Sequence, residues 1–273
     1  MHGHLGVSVR AEKLRSFGAN GPITKRCTFG GAGHNTDVVG HELILKRRHA
    51  YRHRSMACSK ILIVLFFGGF VAAQIKGPER RVVANVITSE HDPKVRLRLP
   101  KAVQYVGADR WVLYGIADCE LHAFVEADEQ KNVQRLYWVQ FESYIPTRPE
   151  LKHEYNSPQH ANIGGMDFYV DTWVRSRDGK TRPGSDREHI EALIRQRGYK
   201  MPAGMMDVRL VHLLDEQKRK ELMIIYGEDV TPTGFNAAGL DEGGKAHDRW
   251  PAIEKALVER AVKMIVIEET PKQ

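Results

Sequence analysis

The chain has 273 residues, 42% of them hydrophobic and 27% charged, with a formal net charge of +7 and a pI near 9.3. The basicity sits at one end: residues 1–60 carry eleven Lys and Arg against three acids, a net +8, and the rest of the chain sums to −1. A nucleic-acid or polyanion partner for the body of the chain therefore loses its main support, and three scattered cysteines (Cys27, Cys58, Cys119) exclude a disulfide framework or a C-x-x-C zinc site.

Residues 1–55 are rich in Gly, Arg and His and show no apolar period, which reads as a disordered basic leader. At Met56 the pattern changes. Met-Ala-Cys-Ser-Lys is followed by the apolar run 61–71 and then Ala72-Ala73, the order of a signal peptide over 56–73 with cleavage before Gln74. A bilayer core needs about 20 apolar residues in a helix, more than this run supplies, so a cleaved signal fits better than a permanent span. Contact with a membrane is expected only during export. The position of Met56 also points to translation starting there, with the first 55 residues left untranslated; a long basic n-region is the alternative.

Residues 74–94 are polar and read as a connector, and one exported domain is expected over 95–273. Val95–Leu99, Trp111–Asp118, Leu121–Ala127 and Val133–Tyr144 have strand patterns without room for helices between them, an antiparallel meander. Pro146–Gly165 is loop-like, and Met166–Val174 is a further strand. Ser185 and Glu188 make a capping box that opens a helix running through Arg197, with Ile190, Leu193 and Ile194 on one face and Gly198 at its end. A second hairpin pairs Val208–Leu214 with Glu221–Glu228, and its strands are apolar on both faces, as in the middle of a covered sheet. Asp248 is placed to cap a helix from Trp250 to about Met264, and Ile265–Ile267 reads as a last strand. The expected fold class is α+β, a curved antiparallel sheet of meander plus second hairpin packed by two helices on one face or at its end.

If the chain turns at Asp128–Asn132, simple counting sets His122 opposite Trp138, Glu120 opposite Gln140 and Asp118 opposite Glu142. The face carrying Leu121, Ala123, Tyr137, Val139 and Phe141 would then pack. The other, with Glu120, His122, Trp138, Gln140 and Glu142, would line a ligand site with aromatic walls; the plainer reading is a solvated face. His153, His160 and Asp167 are weaker candidates as metal ligands, in a spacing that matches no metal motif. His189 and His212 read as structural. No G-x-S-x-G, H-E-x-x-H, P-loop or G-x-G-x-x-G segment occurs, so no cofactor is implied. The expected function is an exported binding or accessory domain for a small molecule or protein partner. Its aromatic density supports that reading; a metal-dependent or acid/base hydrolase is the rival.

Overall fold

A computed structural model describes residues 77–177 and 181–269. The leader expected over 1–55 and the signal expected over 56–73 lie outside the described residues. No described helix is long and apolar enough to cross a membrane.

The described chain is α+β, with two antiparallel sheets. Its strands are β1 (Arg81–Val83), β2 (Val86–Ser89), β3 (Val95–Arg98), β4 (Gln104–Leu113), β5 (Ala117–Ala127), β6 (Val133–Tyr144), β7 (Gln159–Ile163), β8 (Met166–Ser176), β9 (Gly204–Leu213), β10 (Lys220–Asp229) and β11 (Val266–Glu269). The helices are α1 (Asp186–Gln196), the one-turn α2 (Ala237–Leu240) and α3 (Trp250–Met264). The large sheet has the order β4-β5-β6-β10-β9-β8-β7, and the small one β1-β2-β3-β11. The second hairpin thus sits mid-sheet, as its two-sided apolar sequence requires, with β10 paired to β6 on one side and β9 on the other.

Both faces of the large sheet are covered. One packs on the small sheet and α3 through residues such as Phe124, Val139, Leu210, Ile224, Ile87, Leu97, Leu257 and Ile267. The opposite face packs under α1 through Leu121, Trp138, Val211, Ile225, Ile190 and Ile194. The two long helices therefore lie on opposite faces of the sheet rather than sharing one face or one end. Ser185 caps α1 by accepting from the Glu188 backbone N–H, and the Glu188 carboxylate accepts from Gly184 N–H at 2.6 Å. Asp248 does not cap α3; it lies within a short 3-10 turn, His247–Arg249, and the helix starts after Arg249 without a side-chain cap.

Three expectations change. Residues 81–83 and 86–89, read as connector, are β1 and β2, and the Ile87 side chain is fully buried. Val95–Arg98 joins the small sheet rather than the meander, pairing with β2 and β11. The expected strand Trp111–Asp118 is broken by a turn in which Tyr114 and Gly115 both take positive φ, so β4 ends at Leu113 and pairs back onto β5 from Ala117. The β7–β8 hairpin closes through Gly164 and Gly165, both at positive φ, and a Cβ on Gly164 would meet the Ile267 carbonyl oxygen at 2.1 Å.

A chain beginning at Pro78 is expected to melt within about 2 °C of the full chain. A chain beginning at Val95 loses Ile87 and the edge pairing of β3 and should lose at least about 3 kcal/mol in urea unfolding. Equal stability of the two truncations would contradict the place of β1 and β2 in the fold.

Candidate functional site

The β5–β6 register decides where each expected site residue points. Next to the turn, Ala127 pairs with Val133, in the register that simple counting gives; the next pair is Glu126 with Arg135, so Gln134 is an extra residue in β6. From there on His122 faces Val139, Glu120 faces Phe141 and Asp118 faces Ser143. Glu120 and His122 therefore lie on the small-sheet face with Tyr137, Val139 and Phe141. Trp138, Gln140 and Glu142 lie on the α1 face with Leu121 and Ala123. The five expected ligand-site residues do not share a face. All are buried, with Glu120 and Glu142 only 1% and 4% exposed, so the expected division into a packing face and a wet face does not hold.

On the small-sheet face, Glu120 joins the start of the described chain to the sheet. Its carboxylate accepts from the backbone N–H groups of Glu79 (2.9 Å) and Arg80 (2.7 Å), from Arg80 Nη1 (2.9 Å), and pairs with His122 Nε2 (2.9 Å). The Arg80 guanidinium also lies over the Phe141 ring, 4.3 Å from its centroid, and Tyr105 Oη meets His122 Nδ1 at 3.3 Å. Burial alone would raise the Glu120 pKa. The bonds from His122, the two backbone amides and Arg80 outweigh it and hold the carboxyl down at about 2.

On the α1 face a second polar chain runs along β6. Trp138 Nε1 donates to Gln140 Oε1 (3.0 Å), and Gln140 Nε2 donates to Glu142 Oε2 (3.1 Å). Across from Glu142 on β10 is Glu221. The segment after β6 runs extended over this end of the sheet and buries alternate residues, Leu151, His153 and Ser157, with Tyr155 partly buried. His153 Nδ1 reaches Glu221 Oε2 at 2.9 Å, Tyr155 Oη donates to the same oxygen at 2.6 Å, and Tyr144 stacks on His153 with centroids 4.4 Å apart. His153 thus groups with Glu142 and Glu221. His160 and Asp167, its expected companions, instead form a surface pair at 2.9 Å across the β7–β8 hairpin. His189 stacks on Trp111 (4.0 Å) and bonds Asp109, and His212 bonds the Asp167 carbonyl, both structural positions.

Further along the α1 face, Asp207 is fully buried and bonded by Arg175, beside Trp138, Trp173 and Arg187 around a cavity of about 20 Å³. Burial pushes the Asp207 carboxyl up, against the pull of Arg175. Gly227 makes room for it, since a Cβ there would meet Asp207 Oδ1 at 2.5 Å. The cavity is about one water in size.

A larger cleft of about 190 Å³ opens where β5 begins and β6 ends. Glu79, Arg80, His91, Asp92, Arg110, Asp118, Glu120, Phe141, Glu142 and Lys220 are among its lining residues. Arg110 bonds Glu79 (2.6 Å) and Asp118 (2.7 Å), and Lys220 bonds Asp92 (2.6 Å). Glu120 and Glu142, from opposite faces of the sheet, both reach this cleft at the strand ends. Sequence reasoning missed Arg80, Arg110, Tyr155, Lys220 and Glu221. Only Glu221 had a usable signal, as an acid opening an otherwise apolar strand.

Comparisons of the chain with protein-family profiles, curated proteins and solved structures found no match.

Because the folded Glu120 pKa of about 2 lies below its ordinary 4.5, its contribution to stability is complete above pH 4.5 and is lost as pH falls toward 2. Glu120→Gln should therefore cost roughly 2–4 kcal/mol at pH 7. Urea melts of variant and wild type should converge between pH 4.5 and 2. A gap that does not change with pH would show that the carboxylate charge is not what holds the segment.

Proposed function

We propose that the protein is an exported binding or accessory domain whose ligand site is the charged cleft at the end of the large sheet. The observation that carries this reading is the mixture of signs in one cleft: three bases (Arg80, Arg110, Lys220) each set against carboxylates. The inner bases are 11% and 9% exposed and held in place, whereas Lys220 and Asp92 at the rim are 41% and 69% exposed. An exposed pair of that kind contributes only about 0–1 kcal/mol, so a ligand can take its place at little cost. The incoming ligand must replace both charges at once, which selects a small hydrophilic molecule carrying an anionic and a cationic group.

This reading moves the ligand from the aromatic sheet face, which the 145–158 segment and α1 cover, to the strand ends. Export rests on the sequence pattern at 56–73, and a processed chain beginning at Gln74 is its expected product. The body's net charge near zero supports a small-molecule ligand over nucleic acid.

The test is a calorimetric titration of the full chain with small zwitterions such as free amino acids. Binding should weaken as NaCl rises, and at least tenfold in Lys220→Ala, with the melting temperature of that variant nearly unchanged. Salt-independent binding of apolar ligands, unaffected by Lys220→Ala, would overturn the assignment. Amino-terminal sequencing of exported protein gives a separate check, and material that retains residues 1–55 would contradict the export reading.

A further inference from the structure

We propose that Glu142, His153 and Glu221 bind one divalent cation of the first transition row, in the range Mn²⁺ to Zn²⁺. The three residues come from β6, the segment that crosses the sheet end, and β10. They are 4%, 0% and 0% exposed, and one possible ligand atom from each lies within 4.8 Å of the other two.

The hydrogen bonds around the trio fix the orientation of its side chains. Trp138 has only a donor to offer, so the Gln140 oxygen must face it, which turns the Gln140 amide nitrogen toward Glu142. On the other side Tyr155 donates its hydroxyl to Glu221. Each carboxyl group thus receives a donor from behind, which orients it toward His153 in a buried site. Two carboxyl groups and an imidazole that converge out of water form a ligand set for a divalent cation.

One imidazole nitrogen with two carboxylates suits Mn²⁺ through Zn²⁺ better than Ca²⁺ or Mg²⁺, which favour all-oxygen shells. Gln140 and Tyr155 orient the ligands from behind, as outer partners do in metal sites. Glu142 also lines the 190 Å³ cleft, which gives an ion a way in from solvent. The site does not depend on which ligand occupies that cleft.

The test uses the full chain dialysed against EDTA and titrated with Mn²⁺, Zn²⁺ and Mg²⁺ in turn. Mn²⁺ or Zn²⁺ at about 100-fold excess over Kd should raise the melting temperature by roughly 5–10 °C, and Mg²⁺ should not. His153→Gln and Glu221→Gln should each bind one ion per chain fewer than wild type by elemental analysis; leader histidines are common to all variants and cancel. Tyr155→Phe keeps all three ligands and should weaken binding about tenfold, which keeps the test open if the first two variants fail to fold. His160→Ala should match wild type. No thermal shift with any of these ions, unchanged stoichiometry in a folded His153→Gln protein, or loss of the ion in His160→Ala would each overturn the proposal.

Discussion

Gln134 stands in β6 with no partner in β5, and the two-residue period of a strand turns that one insertion into a change of face for every residue beyond it. Without it, His122 would sit beside Trp138 and Glu120 beside Gln140. With it, the acids and histidine of β5 turn toward the small sheet, where Glu120 meets the amides of residues 79 and 80. The Trp138, Gln140 and Glu142 series turns toward α1, where Glu142 meets Glu221 and His153. The position of each polar cluster, and the separation of the two, follows from that bulge.

Both clusters put acidic side chains where water is scarce, and their partners differ. At Glu120 the protein supplies the compensation itself: a guanidinium, two amides and an imidazole surround one carboxylate, and the depressed pKa records the result. This is a structural clamp, and it ties the small sheet's leading segment to β5. At Glu142 and Glu221 the supplied donors are neutral, an amide and a phenol, while two carboxylates face one imidazole. The contrast between one carboxylate enclosed by a guanidinium and amides and two carboxyl groups converging on one imidazole is what distinguishes a clamp from a candidate cation site.

The sequence made some of this legible for physical reasons. The second hairpin was readable because strands buried on both sides are apolar on both sides, and α1 because Ser185 and Glu188 carry a local capping signal. Short strands such as β1 and β2 were not, since three- and four-residue strands that follow Glu79 and Arg80 look like a solvated connector until Ile87 is seen against the core. The turn at Tyr114 was hidden because an aromatic residue in a left-handed conformation carries no composition signal beyond the adjacent Gly115. Trp138, Gln140, Glu142 and His153 were singled out individually, but their grouping with Glu221 depends on register and on a long crossing segment, and neither is a local property of the chain.

The β5–β6 register is the claim on which the rest stands, and cross-linking reads it directly. Asp118 and Ser143 lie opposite each other near the cleft, and both are only partly buried. In a background with Cys27, Cys58 and Cys119 replaced by Ala, Asp118→Cys with Ser143→Cys should form a disulfide rapidly under mild oxidation, because directly paired strand residues fall within bridging distance. Asp118→Cys with Glu142→Cys should not, since those side chains point to opposite faces of the sheet. Preferential cross-linking of the 118/142 pair would mean that Gln134 is not a bulge, that Glu120 and Trp138 share a face, and that the two clusters described here do not exist as separate sites.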